Sequence, residues 1–129
     1  MIRIILVAIF LLLYSIISLI LYPAVWLIGK FNKKAKDKTS LFIVKNSFKV
    51  VRFLSGTRTT VIGYDRIPKD EPVLFVGNHK SYFDIVISYS LMPGLTGFVA
   101  KKELKKVPVI SWWMRNLYCL FLDRNDNNS

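Results

Sequence analysis

The chain has 129 residues, 53% of them hydrophobic, and 19 Lys and Arg against 8 Asp and Glu give it a net charge of +11. That length suggests one domain at most, and the apolar content, with a mean hydropathy of +0.38, points to membrane. The positive excess calls for an anionic partner, nucleic acid or anionic lipid, and a single cysteine excludes an internal disulfide framework or a cysteine-based zinc site.

From Ile4 to Gly29 no residue is charged. This exceeds the roughly 20 apolar residues that cross a bilayer as a helix, and it is longer than the apolar core of a signal peptide, with no small-residue cleavage site behind it. A retained membrane helix over residues 1–29 is expected. Pro23 leaves both a tilted span and a helix that enters and re-emerges open. Lys30, Lys33, Lys34, Lys36 and Lys38 follow, with Arg3 on the other flank. The lysines place the downstream side in the cytoplasm if the helix spans. They read as a solvated linker that also attracts anionic headgroups.

Thr39-Ser40 is a candidate cap for a helix over Leu41–Leu54. There Leu41, Val44, Phe48 and Val51 share one side, and Lys45, Lys49 and Arg52 the other. Such a basic amphipathic helix lies in a membrane interface or packs on a domain core, with equal weight on each. Residues 30–56 are therefore assigned to a basic linker and an amphipathic interfacial helix. Ser55-Gly56 ends it, and Thr57–Tyr64, rich in β-branched residues, reads as a strand. Asp65–Pro72 is a turn-rich connection.

Val73–Val76 reads as a short buried strand. Gly77-Asn78 breaks it, Ser81 with Asp84 forms a capping-box pattern, and Tyr82–Leu91 reads as a helix stopped by Pro93-Gly94. The chain's only histidine, His79, then lies in a strand-to-helix turn at the carboxyl end of a strand, where active sites of open α/β sheets gather. Histidine titrates near neutrality and serves as a general base. A carboxylate beside it fixes the imidazole tautomer. The plainer alternative makes His79 a polar turn residue and Asp84 only a capping partner. Gly97–Ala100 reads as a third strand. Lys101–Lys106 follows as a charged helix start, and Pro108 suits the first turn of a helix with Val109, Trp112 and Trp113 on its apolar face. The tryptophans fit a core or a membrane interface equally. Cys119–Leu122 reads as a fourth strand, with Cys119 a small core residue, ending in Asp123-Arg124.

Asn78-His79-x4-Asp84 resembles the NHx4D motif of the glycerolipid acyltransferases, in particular the 1-acylglycerol-3-phosphate (lysophosphatidate) acyltransferases. Gly63–Pro68, Ala100–Leu104 and Phe121-Leu-Asp-Arg124 are similar to further family segments. The resemblance implies that His79 activates the acceptor hydroxyl, that Asp84 orients it, and that Arg124 holds the acceptor's phosphate, a task its planar fork suits. Asn78 and Lys80 are the other candidate substrate contacts; the default for an isolated Asp-Arg pair is a surface position at a strand end. Tyr118 stands where the family usually has a glycine three residues before the Phe, and Ser111 replaces a glycine often found in the preceding helix. The family's Glu-Gly-Thr-Arg motif and its later proline-containing motif are not among these residues.

The expected fold class is α/β: an N-terminal membrane helix and an amphipathic helix, then an incomplete mixed or parallel sheet flanked by helices. Residues 57–129 form the N-terminal part of an acyltransferase domain, truncated, and at about 70 residues a single core is marginal. The resemblance implies transfer of a fatty acyl group from acyl-CoA or acyl carrier protein to lysophosphatidate, giving phosphatidate, at the cytoplasmic face of a membrane. No cofactor beyond that thioester donor and no metal are implied. Partners are membrane lipids, lysophosphatidate and the acyl donor; nucleic acid is not expected, since no nucleic-acid motif accompanies the charge. The competing readings are a non-catalytic membrane-anchored remnant and an acyltransferase for another lyso-lipid.

Overall fold

The computed structural model describes residues 1–78, 80–123 and 125. Helix α1 (Ile2–Phe31) and helix α2 (Lys33–Ser55) are joined at Asn32, whose extended backbone ends one helix and whose side chain caps the next by accepting the Ala35 N–H at 3.2 Å. The basic run 33–38 is therefore the opening of α2, not a linker, and Thr39-Ser40 lies inside the helix. Lysine and alanine are good helix formers, and with Asn32 to satisfy a free N–H the helix starts at the earliest point it can. The two helices form a hairpin along their whole length. Lys36 fills the space over Gly29 near the bend, and the Arg3 side chain occupies the space over Gly56 at the open end.

Helix α1 is apolar on its outside. Leu12, Ile16 and Ile20 of α1 are exposed, Ile20 by 76%, whereas Ser18 is wholly buried. The buried seam holds Ser18 and Val25 of α1 with Ser40, Val44 and Val51 of α2. Small polar residues between helices and apolar side chains facing out are the arrangement of helices in lipid. At 30 residues, α1 is long and apolar enough to cross a membrane.

Behind α2 lies the remainder of the chain. Helix α3 spans Tyr82–Leu91, as its capping box and the Pro93-Gly94 stop predict. Strand β1 (Val99–Lys101) and strand β2 (Leu120–Leu122) pair in parallel, Val99 with Leu120 and Lys101 with Leu122. A 3₁₀ segment, Lys102–Lys106, and a short helix α4 (Ile110–Asn116) connect them. Pro108 precedes α4 by one residue, Val109, rather than opening it. Val109 sits at φ 65°, in a tight turn closed by the Ile110 N–H on the Pro108 carbonyl at 2.7 Å.

The α/β character is therefore present, with helices dominant and a two-stranded parallel sheet. Two expected strands do not form. Residues 57–62 and 73–78 are neither helix nor strand, and a single 3₁₀ turn, Tyr64–Arg66, lies between them. The run 73–76 still alternates in exposure, with Leu74 and Val76 at 87% and Val73 and Phe75 near 40%. A strand's hydrogen bonds belong to its neighbour, and among the described residues only β1 and β2 supply one another.

The core gathers Val25, Val44, Tyr89, Trp113 and Leu117, so it draws on α1, α2, α3 and α4 together. Tyr89 is wedged between Phe48 of α2, edge-on at 5.6 Å, and Phe98 at 5.4 Å. Trp113 reaches α1 directly: its indole N–H donates to Ser18 Oγ at 3.0 Å in the buried seam. Trp112 stacks on Tyr22 at 5.2 Å. Both tryptophans thus pack against α1 within the protein.

Candidate active site

The turn before α3 is built by Asp84. Its Oδ2 accepts the backbone N–H groups of Lys80, at 2.9 Å, and Ser81, at 3.0 Å, and lies 3.4 Å from the Ser81 hydroxyl. A carboxylate is favoured there because free N–H groups and the positive end of the helix dipole converge at an N-terminus. The capping role of Asp84 is therefore real, and it has a consequence for the site. The two residues that follow His79 are tied by their backbone to the carboxylate five positions after it. Asn78 and Lys80 are exposed beside this turn. His79 and Arg124 lie outside the described residues.

At the end of β2, Asp123 pairs with Lys102 at 3.0 Å and accepts the Asn125 N–H at 3.1 Å. These bonds, that from Lys102 first, hold its carboxyl below the usual carboxylate range. The Lys101–Lys106 segment therefore returns to the carboxyl end of the strand pair, and it brings Lys105 over the Phe121 ring at 5.6 Å. The structure brings Asp84 together with Lys80 and Ser81, and Asp123 with Lys102.

Three features escape sequence reasoning. The first is the use of the cations of α2. Lys45 Nζ donates to the Met92 carbonyl, and Arg52 Nη1 donates to Ser90 Oγ at 3.2 Å. Both lie at the C-terminal end of α3, where cations complement the dipole. Burial in this seam, and then the neighbouring Lys49, lower the Lys45 ammonium below its ordinary range. Helix α2 is thus a middle layer, packed on α1 by one side and on α3 by another.

The second is an open cleft of about 530 Å³ beside the segment leading to Asn78, lined by Lys45, Tyr64, Ile67, Phe75 and Leu95 among others. Apart from Lys45 on α2 and Tyr64 in the 3₁₀ turn, its walls come from loops, which carry no periodicity to read.

The third is the backbone at Tyr118, which has φ 60°. The Cys119 N–H bonds to the Met114 carbonyl at 3.0 Å and the Tyr118 N–H to the Arg115 carbonyl at 3.1 Å. This is the Schellman pattern that ends α4, with Tyr118 at the left-handed position usually held by glycine. This is the position at which the resemblance implies a glycine. The left-handed conformation is retained, at a cost on the order of 1–2 kcal/mol for a residue with a Cβ.

Cys119, next in the chain, is not an activated nucleophile. Burial pushes its thiol up, and a reactive cysteine needs the opposite shift. Among the described residues no group of three or more His, Cys, Asp or Glu is placed to hold a metal.

Comparison with known proteins adds a family. The acyltransferase family model matches residues 58–129. The 1-acyl-sn-glycerol-3-phosphate acyltransferase of Saccharomyces cerevisiae is 32% identical over 78 residues, 60% of this chain and 25% of that protein. The protein of that name from Chlamydomonas reinhardtii is 26% identical over 112 residues, 86% of this chain and 32% of the relative. The human 1-acyl-sn-glycerol-3-phosphate acyltransferase alpha is 28% identical over 85 residues, 66% of this chain and 30% of the relative. The chain thus spans between a quarter and a third of the length of these curated relatives. No solved structure matches it.

Proposed function

The chain belongs to the acyltransferase family, and on that premise we propose that it acts in the transfer of a fatty acyl group from an acyl-CoA or acyl carrier protein thioester to the free hydroxyl of lysophosphatidate, giving phosphatidate. The acceptor follows from its relatives, which are named for 1-acyl-sn-glycerol-3-phosphate.

His79 takes the proton from the acceptor hydroxyl as the oxygen attacks the thioester carbonyl. The tetrahedral intermediate collapses by expelling the thiolate, which recovers a proton from the imidazolium. Asp84 orients the imidazole and favours its charged form, the division of labour of a Ser-His-Asp triad with the substrate alcohol in place of serine. The observation that supports this mechanism is the anchoring of the Lys80 and Ser81 N–H groups on Asp84, which ties the two residues after His79 in sequence to the proposed orienting carboxylate. Arg124 holds the acceptor's phosphate, and Asn78 and Lys80 are further substrate contacts. No metal or cofactor takes part.

In this reading the chemistry takes place at the substrate's own surface, the membrane, and the long apolar α1 supports it. The outward face of α1 is embedded in the bilayer. Helix α2 runs beside α1 throughout and carries Lys45, Lys49 and Arg52, and a lysine at the bilayer centre costs about 2.5–3.5 kcal/mol. A hairpin lying in the interface, its apolar face sunk roughly 5–10 Å, spares that cost and leaves α3 and the strand pair in water. The lysines at the bend favour the anionic cytoplasmic leaflet.

The test is His79→Ala in the full-length protein, assayed in vesicles for phosphatidate formed from acyl-CoA and lysophosphatidate. General-base removal is expected to lower kcat by roughly 10²–10⁴-fold with membrane binding unchanged. Transfer at the wild-type rate would overturn the mechanism.

A further inference from the structure

The turn that launches β2 is held from two directions. Backbone groups hold one side: the Leu120 N–H donates to the Phe98 carbonyl at 2.8 Å, and a Cβ at Gly97 would collide with the carbonyl groups of Tyr118 and Leu117. A side chain holds the other. The Tyr118 hydroxyl donates to Asp37 Oδ1 at 2.8 Å, and Lys33 Nζ stands 5.7 Å from the centre of the Tyr118 ring. Asp37 and Lys33 both belong to the opening turns of α2, next to the hairpin bend.

We propose that Tyr118 is a positioning residue, a latch that ties the bend of the membrane-bearing hairpin to the turn before β2 and so sets the strand leading into Asp123-Arg124. Glycine would satisfy the same Schellman backbone without strain. A non-glycine residue in a left-handed conformation persists where its surroundings over-determine it. Burial does not do so here, because Tyr118 is 45% exposed. What its side chain gains is the pair of partners on α2. The hydrogen bond to Asp37, first, raises the phenol above its ordinary value of 10.0, so it stays protonated and donating at neutral pH. The consequence for turnover rests on the reading that Arg124 holds the acceptor's phosphate.

The experiment uses the full-length protein in phosphatidylcholine–phosphatidylglycerol vesicles. Hydrogen exchange of the Leu120–Leu122 amides and the KM for lysophosphatidate are compared for Tyr118→Phe, Asp37→Asn and the double variant. Each single change is expected to speed exchange and raise KM by roughly two- to fivefold, the range of an exposed polar pair, with kcat nearly unchanged. The double variant is expected to be no worse than either single, as for two residues acting on each other. Tyr118→Gly keeps the left-handed backbone without strain and guards against a folding artefact; it is expected to show the same faster exchange. Wild-type exchange in Tyr118→Gly, or strictly additive effects in the double variant, would overturn the latch. Faster exchange with an unchanged KM supports the latch and overturns instead the placement of the acceptor's phosphate at Arg124.

Discussion

The two parts of this molecule use their polar side chains differently. Helix α1 turns isoleucine and leucine outward, and the hairpin it forms with α2 buries Ser18 and Ser40. The part after Gly56 packs Tyr89 and Trp113 into the core it shares with the hairpin, leaves Ile62, Leu74 and Val76 exposed, and carries its polar chemistry in turns: Asp84 on Lys80 and Ser81, Asp123 on Lys102. On the proposed function, one part meets lipid and the other a reacting headgroup, and α2, packed on both α1 and α3, joins them. Changes in the first part are therefore expected to alter membrane retention, and changes in the second to alter turnover.

The largest separation is expected from charge on the outer face of α1. Ile9 and Ile16 are both about half exposed, so Ile9→Lys with Ile16→Lys leaves the core intact. Each lysine forfeits the burial of an isoleucine in lipid, about 1.5–3 kcal/mol, so vesicle flotation should show retention falling at least tenfold. Unchanged flotation would mean that this face does not meet the bilayer.

A smaller effect is expected at the open end of the hairpin. Gly56 has φ 73°, and Arg3 fills the space a Cβ would need. Gly56→Ala should destabilise by roughly 1–2 kcal/mol, seen as a lower Tm. Trp113→Phe, which leaves the buried Ser18 hydroxyl without its indole donor, should cost about 1 kcal/mol, and by loosening α4 from α1 it tests the junction between the two parts. The smallest effect is expected at Asp123. Its folded carboxyl lies below the ordinary value of 3.8, so its contribution is fully present above that value and is lost as pH falls through the folded one. The Tm difference between the wild type and Asp123→Asn should therefore be constant at neutral pH and vanish in acid.

Much of this was legible from local pattern. Helix α3 begins and ends where Ser81, Asp84 and Pro93-Gly94 place it, and α1 follows from an uncharged run long enough to span a bilayer. The misreadings share a cause. The lysine run 33–38 resembled a linker because charge suggests solvent, yet Asn32 is a good cap and lysine a good helix former. Thr57–Tyr64 and Val73–Val76 have strand composition, but whether a strand forms is decided by a neighbour far away in sequence. Two helix ends make the same point at finer scale. Helices α2 and α4 both close in a Schellman pattern, through Gly56 in one and Tyr118 in the other. Glycine announces itself in a sequence, whereas the left-handed Tyr118 finds its side-chain partners in Asp37, 81 residues away, and Lys33.

The most direct test of the central claim concerns Asp84, where a structural role is visible and a chemical one is proposed. Asp84→Asn keeps an oxygen to accept the Lys80 and Ser81 N–H groups but removes the charge that favours an imidazolium. With the full-length protein in vesicles, Tm and kcat for phosphatidate formation would be measured side by side. A Tm close to that of the wild type with kcat lower by at least about 100-fold is the predicted result. A kcat that falls only as far as the folded population falls would contradict it, leaving Asp84 as a helix cap alone.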